Sequence, residues 1–74
     1  MAEESKAPTN AETILQALKD LGPGWHTSRE VMWQARRNGW QMTTVKARNV
    51  CRVLCRRGEA RMLLKGNRYS FEVL

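Results

Sequence analysis

Arg48, Arg52 and Arg56 recur at i, i+4 and i+8 within "TTVKARNVCRVLCRRGEA", residues 43–60. On a helix that spacing lines three guanidinium groups along one edge over two turns. A guanidinium is a fork of donors suited to phosphate oxygens or to the O6 and N7 of guanine. Solvated surface helices usually pair such charges with carboxylates one turn away. Here the only Asp or Glu between Asp20 and Glu59 is Glu30. Like charges one turn apart cost a few tenths of a kcal/mol each, so compensation from outside the helix is expected. Lys46 and Arg57 flank the opposite edge.

The other reactive side chains point to less. His26 is the only histidine, and Cys51 and Cys55 are the only cysteines. Together they could offer a metal three ligands at most, without matched spacing, so no metal site is expected. The two thiols sit one turn apart, a poor disulfide framework, and they read as small packing residues in a reducing compartment. Ser28 stands near His26, but no carboxylate orients the histidine and so short a chain builds no substantial pocket. Enzymatic activity is not expected, and no cofactor is implied.

The elements that must position the arginines follow from period and caps. Thr9 and Glu12 have capping-box spacing, and Ile14, Leu15, Leu18 and Leu21 form an apolar stripe that Gly22 and Pro23 close. "GPGWHT" reads as a turn and two or three extended residues. Thr27 and Glu30 form a second capping box opening "SREVMWQARRNG", with Val31 and Ala35 inward, joined by Met32 or Trp33. Thr43 or Thr44 caps the third helix, which runs to about Arg57, roughly 21 Å. At about 100° per residue its buried stripe is Ala47, Val50, Cys51 and Leu54. The period then changes to two. Ala60, Met62 and Leu64 alternate with Arg61, Leu63 and Lys65, and Tyr69, Phe71 and Val73 with Arg68, Ser70 and Glu72. Gly66-Asn67 between them predicts a β-hairpin.

The charge is unevenly divided. Residues 1–22 carry two Lys against four Asp/Glu, net −2; residues 23–74 carry eleven Lys/Arg against three Glu, net +8. That field favours a polyanionic partner. No apolar run approaches the roughly 18 residues of a membrane span. The opening "MAEESKAPTN" lacks the apolar segment of a secretory signal, so an intracellular place is expected. Residues 1–8 read as a disordered tail and 9–74 as one small domain. Trp25 and Trp40 are expected in the core. Trp33 is left open between packing and contact with a partner. Tyr69 reads as a core residue of the hairpin.

The order helix, short strand, helix, helix, hairpin resembles the winged helix-turn-helix superfamily, an α+β fold. "TSREV" opens helix 2, "TTVKARNVCRVLCRRGEA" is the third helix and "LLKGNRYSFEV" the wing. The resemblance implies a third helix in the DNA major groove and a wing tip on the backbone. By position, Thr44, Val45, Arg48, Asn49 and Arg52 would face base edges; Thr43, Lys46, Arg56, Lys65 and Arg68 would face phosphates. Winged domains that bind Z-form duplexes carry an Asn and a Tyr where this chain has Arg48 and Arg52, which sets that subfamily aside. The function implied is double-stranded DNA binding by a small transcriptional regulator or a module of one. RNA binding and docking to an acidic protein remain open, as does a homodimer on paired half-sites.

Overall fold

Two threonines set where the first two helices begin. Thr9 Oγ1 accepts from the Glu12 N–H at 3.2 Å, while the Glu12 carboxylate accepts from the Thr9 N–H at 2.8 Å. That reciprocal pair opens α1, Asn10–Leu21. Thr27 and Glu30 repeat it at the same distances, between β1 (His26–Thr27) and α2 (Ser28–Arg37). Each box satisfies two N–H groups that would otherwise lack a partner. Thr43, not Thr44, caps α3 (Thr44–Arg56), accepting from the Lys46 N–H at 3.1 Å. The chain then forms β2 (Ala60–Lys65) and β3 (Arg68–Val73). This is a computed structural model that describes residues 9–74; the tail expected over residues 1–8 lies outside the described residues.

The result is a small α+β domain of three helices and a three-stranded antiparallel sheet in the order β1-β3-β2. β3 is central and takes His26 opposite Phe71 on one side and Met62 opposite Phe71 on the other. The β2–β3 turn has two residues. Gly66 takes the positive φ of 62° at its first position, which a side chain would resist, and Asn67 does not need one. Among the described residues no helix is long and apolar enough to cross a membrane.

The core is shared by all layers. Ile14, Ala17 and Leu18 of α1 meet Val31, Met32 and Ala35 of α2, then Ala47, Cys51 and Leu54 of α3, with Met42, Ala60 and Phe71 closing it. Helix α1 is rotated slightly from the expected stripe. Thr13 and Ala17 are buried, whereas Leu15 and Leu21 are half-buried at its rim. Thr13 is tolerated there because its hydroxyl donates to the Thr9 carbonyl at 3.0 Å. Val50 likewise sits at the rim.

The tryptophans correct the expectation most sharply. Trp25 and Trp40 are 43% and 39% exposed, and Trp33 is 48% exposed while Met32 turns inward. The core is too small for indoles once Met42 and Phe71 fill it. The Trp40 N–H is tied to the Ala35 carbonyl at 3.1 Å, and the chain drops inward only two residues later, at Met42. Trp25 instead lies under the Arg61 guanidinium, 5.5 Å from its ring centre. The hairpin also buries less than its alternation suggests. In β2 only Ala60 is enclosed, and Met62 and Leu64 stay exposed on the face they share with the buried Phe71. Only the base of the hairpin has a helical layer beneath it.

Candidate nucleic-acid interface

With Ala47, Cys51 and Leu54 turned into the core, the far side of α3 is fixed by helical geometry. Val45, Asn49, Arg52 and Arg56 stand along its middle, all exposed. Asn49, Arg52, Val53 and Arg56 line one shallow hollow. Val53, 43% exposed, belongs to this face although the arginine pattern does not mark it. Among the described residues the ion pairs are Arg57–Glu59, at 2.6 Å, and Arg61–Glu72. Neither involves Arg48, Arg52 or Arg56.

Arg48 is half-buried and leans to one flank. There it joins Thr44 and six residues from elsewhere: Thr27, Ser28 and Arg29 at the start of α2, and Asn67, Arg68 and Tyr69 at the hairpin tip. This concavity gathers three guanidinium groups with hydroxyl and amide donors, and no carboxylate lines it. It also lies at the first turns of α2 and α3, where helix dipoles favour negative charge. Anions with several acceptor oxygens suit such a lining. Arg29, Ser28, Thr27, Asn67 and Tyr69 carry no sequence signal for it, since only folding brings them to Arg48.

The remaining candidates are spread around these two surfaces. Thr43 and Lys46 sit on the opposite flank of α3 and share a hollow with Arg36, Trp40, Gln41 and Met42. Arg36 is engaged there, its Nε donating to the Met42 carbonyl at 2.9 Å. Lys65 is exposed at the end of β2, paired across the turn with Arg68. Tyr69 is half-buried, its ring stacked 6.4 Å from Phe71, so it is both core rim and concavity wall.

The reactive residues are structural in their surroundings. His26 Nε2 donates to the Gly22 carbonyl at 3.0 Å, bracing the turn after α1. Ser28 is buried in the first turn of α2. Burial pushes the Cys51 thiol up to about 12, with the neighbouring Cys55 adding to the effect, and burial also raises Cys55. Both thiols therefore stay protonated near neutral pH, poor nucleophiles and poor ligands. Compared with known protein families, curated proteins and solved structures, the chain matches none.

Proposed function

We propose that the chain is a winged helix-turn-helix domain that binds double-stranded DNA, as a small transcriptional regulator or the DNA-binding module of a larger one. The observation that carries this reading is the carboxylate-free concavity where Arg29, Arg48 and Arg68 converge from α2, α3 and the hairpin. In this reading it seats the phosphates of one strand, and the hairpin is the wing. Val45, Asn49 and Arg52, central on the exposed face of α3, then meet base edges in the major groove. Asparagine there can bond adenine, arginine guanine, and valine can touch a thymine methyl group. Thr43 and Lys46 hold the backbone on the other flank, and Lys65 and Arg68 hold it at the wing tip. Thr44 and Arg48 contact both phosphate and groove edge.

A second reading, docking to an acidic protein, draws on Trp33. Its ring is half exposed and carries the Arg36 guanidinium 5.3 Å from its centre, with Arg37 in the same hollow. The duplex reading is preferred because three arginines converge on a concavity that no carboxylate lines, whereas Glu30 lines the hollow at Trp33.

Titration of the chain with DNA and RNA duplexes across a salt series tests the proposal. If five or six cations neutralise phosphates, log K falls against log salt with a slope of about −4 to −5. A flat response removes the duplex reading. Tighter binding to the RNA duplex transfers it to RNA.

A further inference from the structure

β2 is an edge strand: β3 covers one side, and among the described residues no strand covers the other. The register shows which backbone groups are left over. Lys65 and Arg68 flank a two-residue turn, and the pair flanking such a turn exchanges its hydrogen bonds inside the hairpin. At the strand's other end the Leu74 N–H donates to the Glu59 carbonyl at 3.2 Å. Both ends agree. Residues 59, 61, 63 and 65 turn their peptide groups to β3, and Ala60, Met62 and Leu64 present theirs to the open edge.

Of the devices that keep exposed strands apart, this edge carries only the charges of Arg61 and Lys65. It has no proline, and its pairing with β3 advances one for one from Ala60 to Lys65 without a bulge. Arg61 is already matched to Glu72. Met62, Leu63 and Leu64 are 43%, 43% and 55% exposed.

We propose that β2 pairs antiparallel with β2 of a second copy of the chain, about a two-fold axis through Met62. Side chains opposite one another in a ladder share a face, so the axis must pass through a residue and not between two. An axis at Leu63 would set Arg61 against the partner's Lys65, and an axis at Arg61 would set that arginine against its own mate. Like charges directly opposite are unfavourable. The axis at Met62 avoids both. It places Arg61 against the partner's Leu63, Ala60 against the partner's Leu64, and Lys65 against the partner's Glu59. Glu59, which holds Arg57 at 2.6 Å, then accepts a second cation. The outward peptide groups of Ala60, Met62 and Leu64 meet those of the partner's Leu64, Met62 and Ala60, and Met62 and Leu64 gain apolar neighbours beside Phe71 and Tyr69. The pairing does not rest on the duplex reading, although both make use of Lys65.

Sedimentation velocity of the chain without nucleic acid, over a concentration series reaching the millimolar range, should show a monomer–dimer equilibrium. Met62→Pro should abolish the dimer with the circular dichroism unchanged, because the lost N–H faces outward. Leu63→Pro should disrupt the hairpin, whose ladder uses that N–H. In a Cys55→Ser background, Met62→Cys should be joined by a short thiol cross-linker into a covalent dimer and Leu63→Cys should not, since opposed hydrogen-bonded residues lie about 5.5 Å apart. The cross-link decides the matter even if Met62→Pro fails to fold. A chain that stays monomeric throughout, or cross-linking at Leu63→Cys in place of Met62→Cys, overturns the proposal.

Discussion

Arg48 and Arg52 stand one helical turn apart and differ in what surrounds them. Arg52 is exposed in mid-face, beside Asn49 and Val53, whereas Arg48 is half-buried next to Arg29 and Arg68. On the duplex reading, Arg52→Ala costs about 1–3 kcal/mol of binding and relaxes preference at one base position. Arg68→Ala weakens all sequences alike and lowers the salt slope by about 1. A panel of duplexes with single base changes separates the two, and a uniform loss for Arg52→Ala would place that guanidinium on phosphate. Cys51 gives a residue-scale prediction about stability. Its thiol titrates at about 12 in the fold against 9.0 ordinarily. The folded state thus keeps a proton that the unfolded chain has lost. Stability is whole below about pH 9 and falls as pH rises toward 12, with a slope approaching 1.4 kcal/mol per pH unit. Cys55, raised in the same direction, adds to the fall. Denaturant titrations at about pH 8 and about pH 10 should show wild type losing more than Cys51→Ala. Parallel losses would mean that the buried thiol is not the cause.

At the scale of elements, the caps and the apolar period were readable because they are local. Thr9–Glu12 and Thr27–Glu30 each lie within one turn, and Ala47, Cys51 and Leu54 recur at the helical period. What was not readable depends on parts of the chain far apart in sequence. Nothing local says that Met42 and Phe71 fill the core before Trp25 or Trp40 can, or that most of β2 runs beyond the helical layer. The concavity is less legible still. Arg29, Arg48 and Arg68 are about twenty residues apart, and only the sheet pairing of β1 with β3 brings the start of α2 to the hairpin. Two substitutions test this division. Leu54→Ala, at the fully buried centre of α3, should cost about 2–5 kcal/mol, a large share of the 5–15 typical of natural domains. Thr27→Ala removes the acceptor for the Glu30 N–H and should cost about 1 kcal/mol. Melting curves should rank them in that order. An unchanged melting temperature for Leu54→Ala would show that α3 packs by another face.

Over the whole molecule the charge is segregated. The acidic residues of the first third include Glu12 and Asp20 on α1, which packs against the buried side of α3. Asp20 is occupied there, accepting from Gln16 and Asn38 at 2.8 Å each. A polyanion approaching the exposed arginines of α3 therefore meets little opposing charge. Trp33 is the feature this arrangement leaves unused. It lies on α2 in a hollow with Leu21, Glu30, Gln34 and Arg37, a set that shares no residue with the three hollows around α3 that the duplex reading places against DNA. If the duplex is the partner, Trp33→Ala should leave both salt slope and affinity nearly unchanged, and it should disturb stability little because half of the ring is already in water. If the partner is an acidic protein, a half-exposed indole beside Arg36 and Arg37 is the kind of anchor whose truncation costs about 2 kcal/mol or more. The same folded Trp33→Ala protein is to be titrated with duplex DNA and, in parallel, with an acidic polypeptide. Retained duplex affinity that Arg48→Ala plus Arg52→Ala then removes would tie the basic helix to nucleic acid. Polypeptide binding that needs Trp33, with no duplex binding by either form, would move the function to α2.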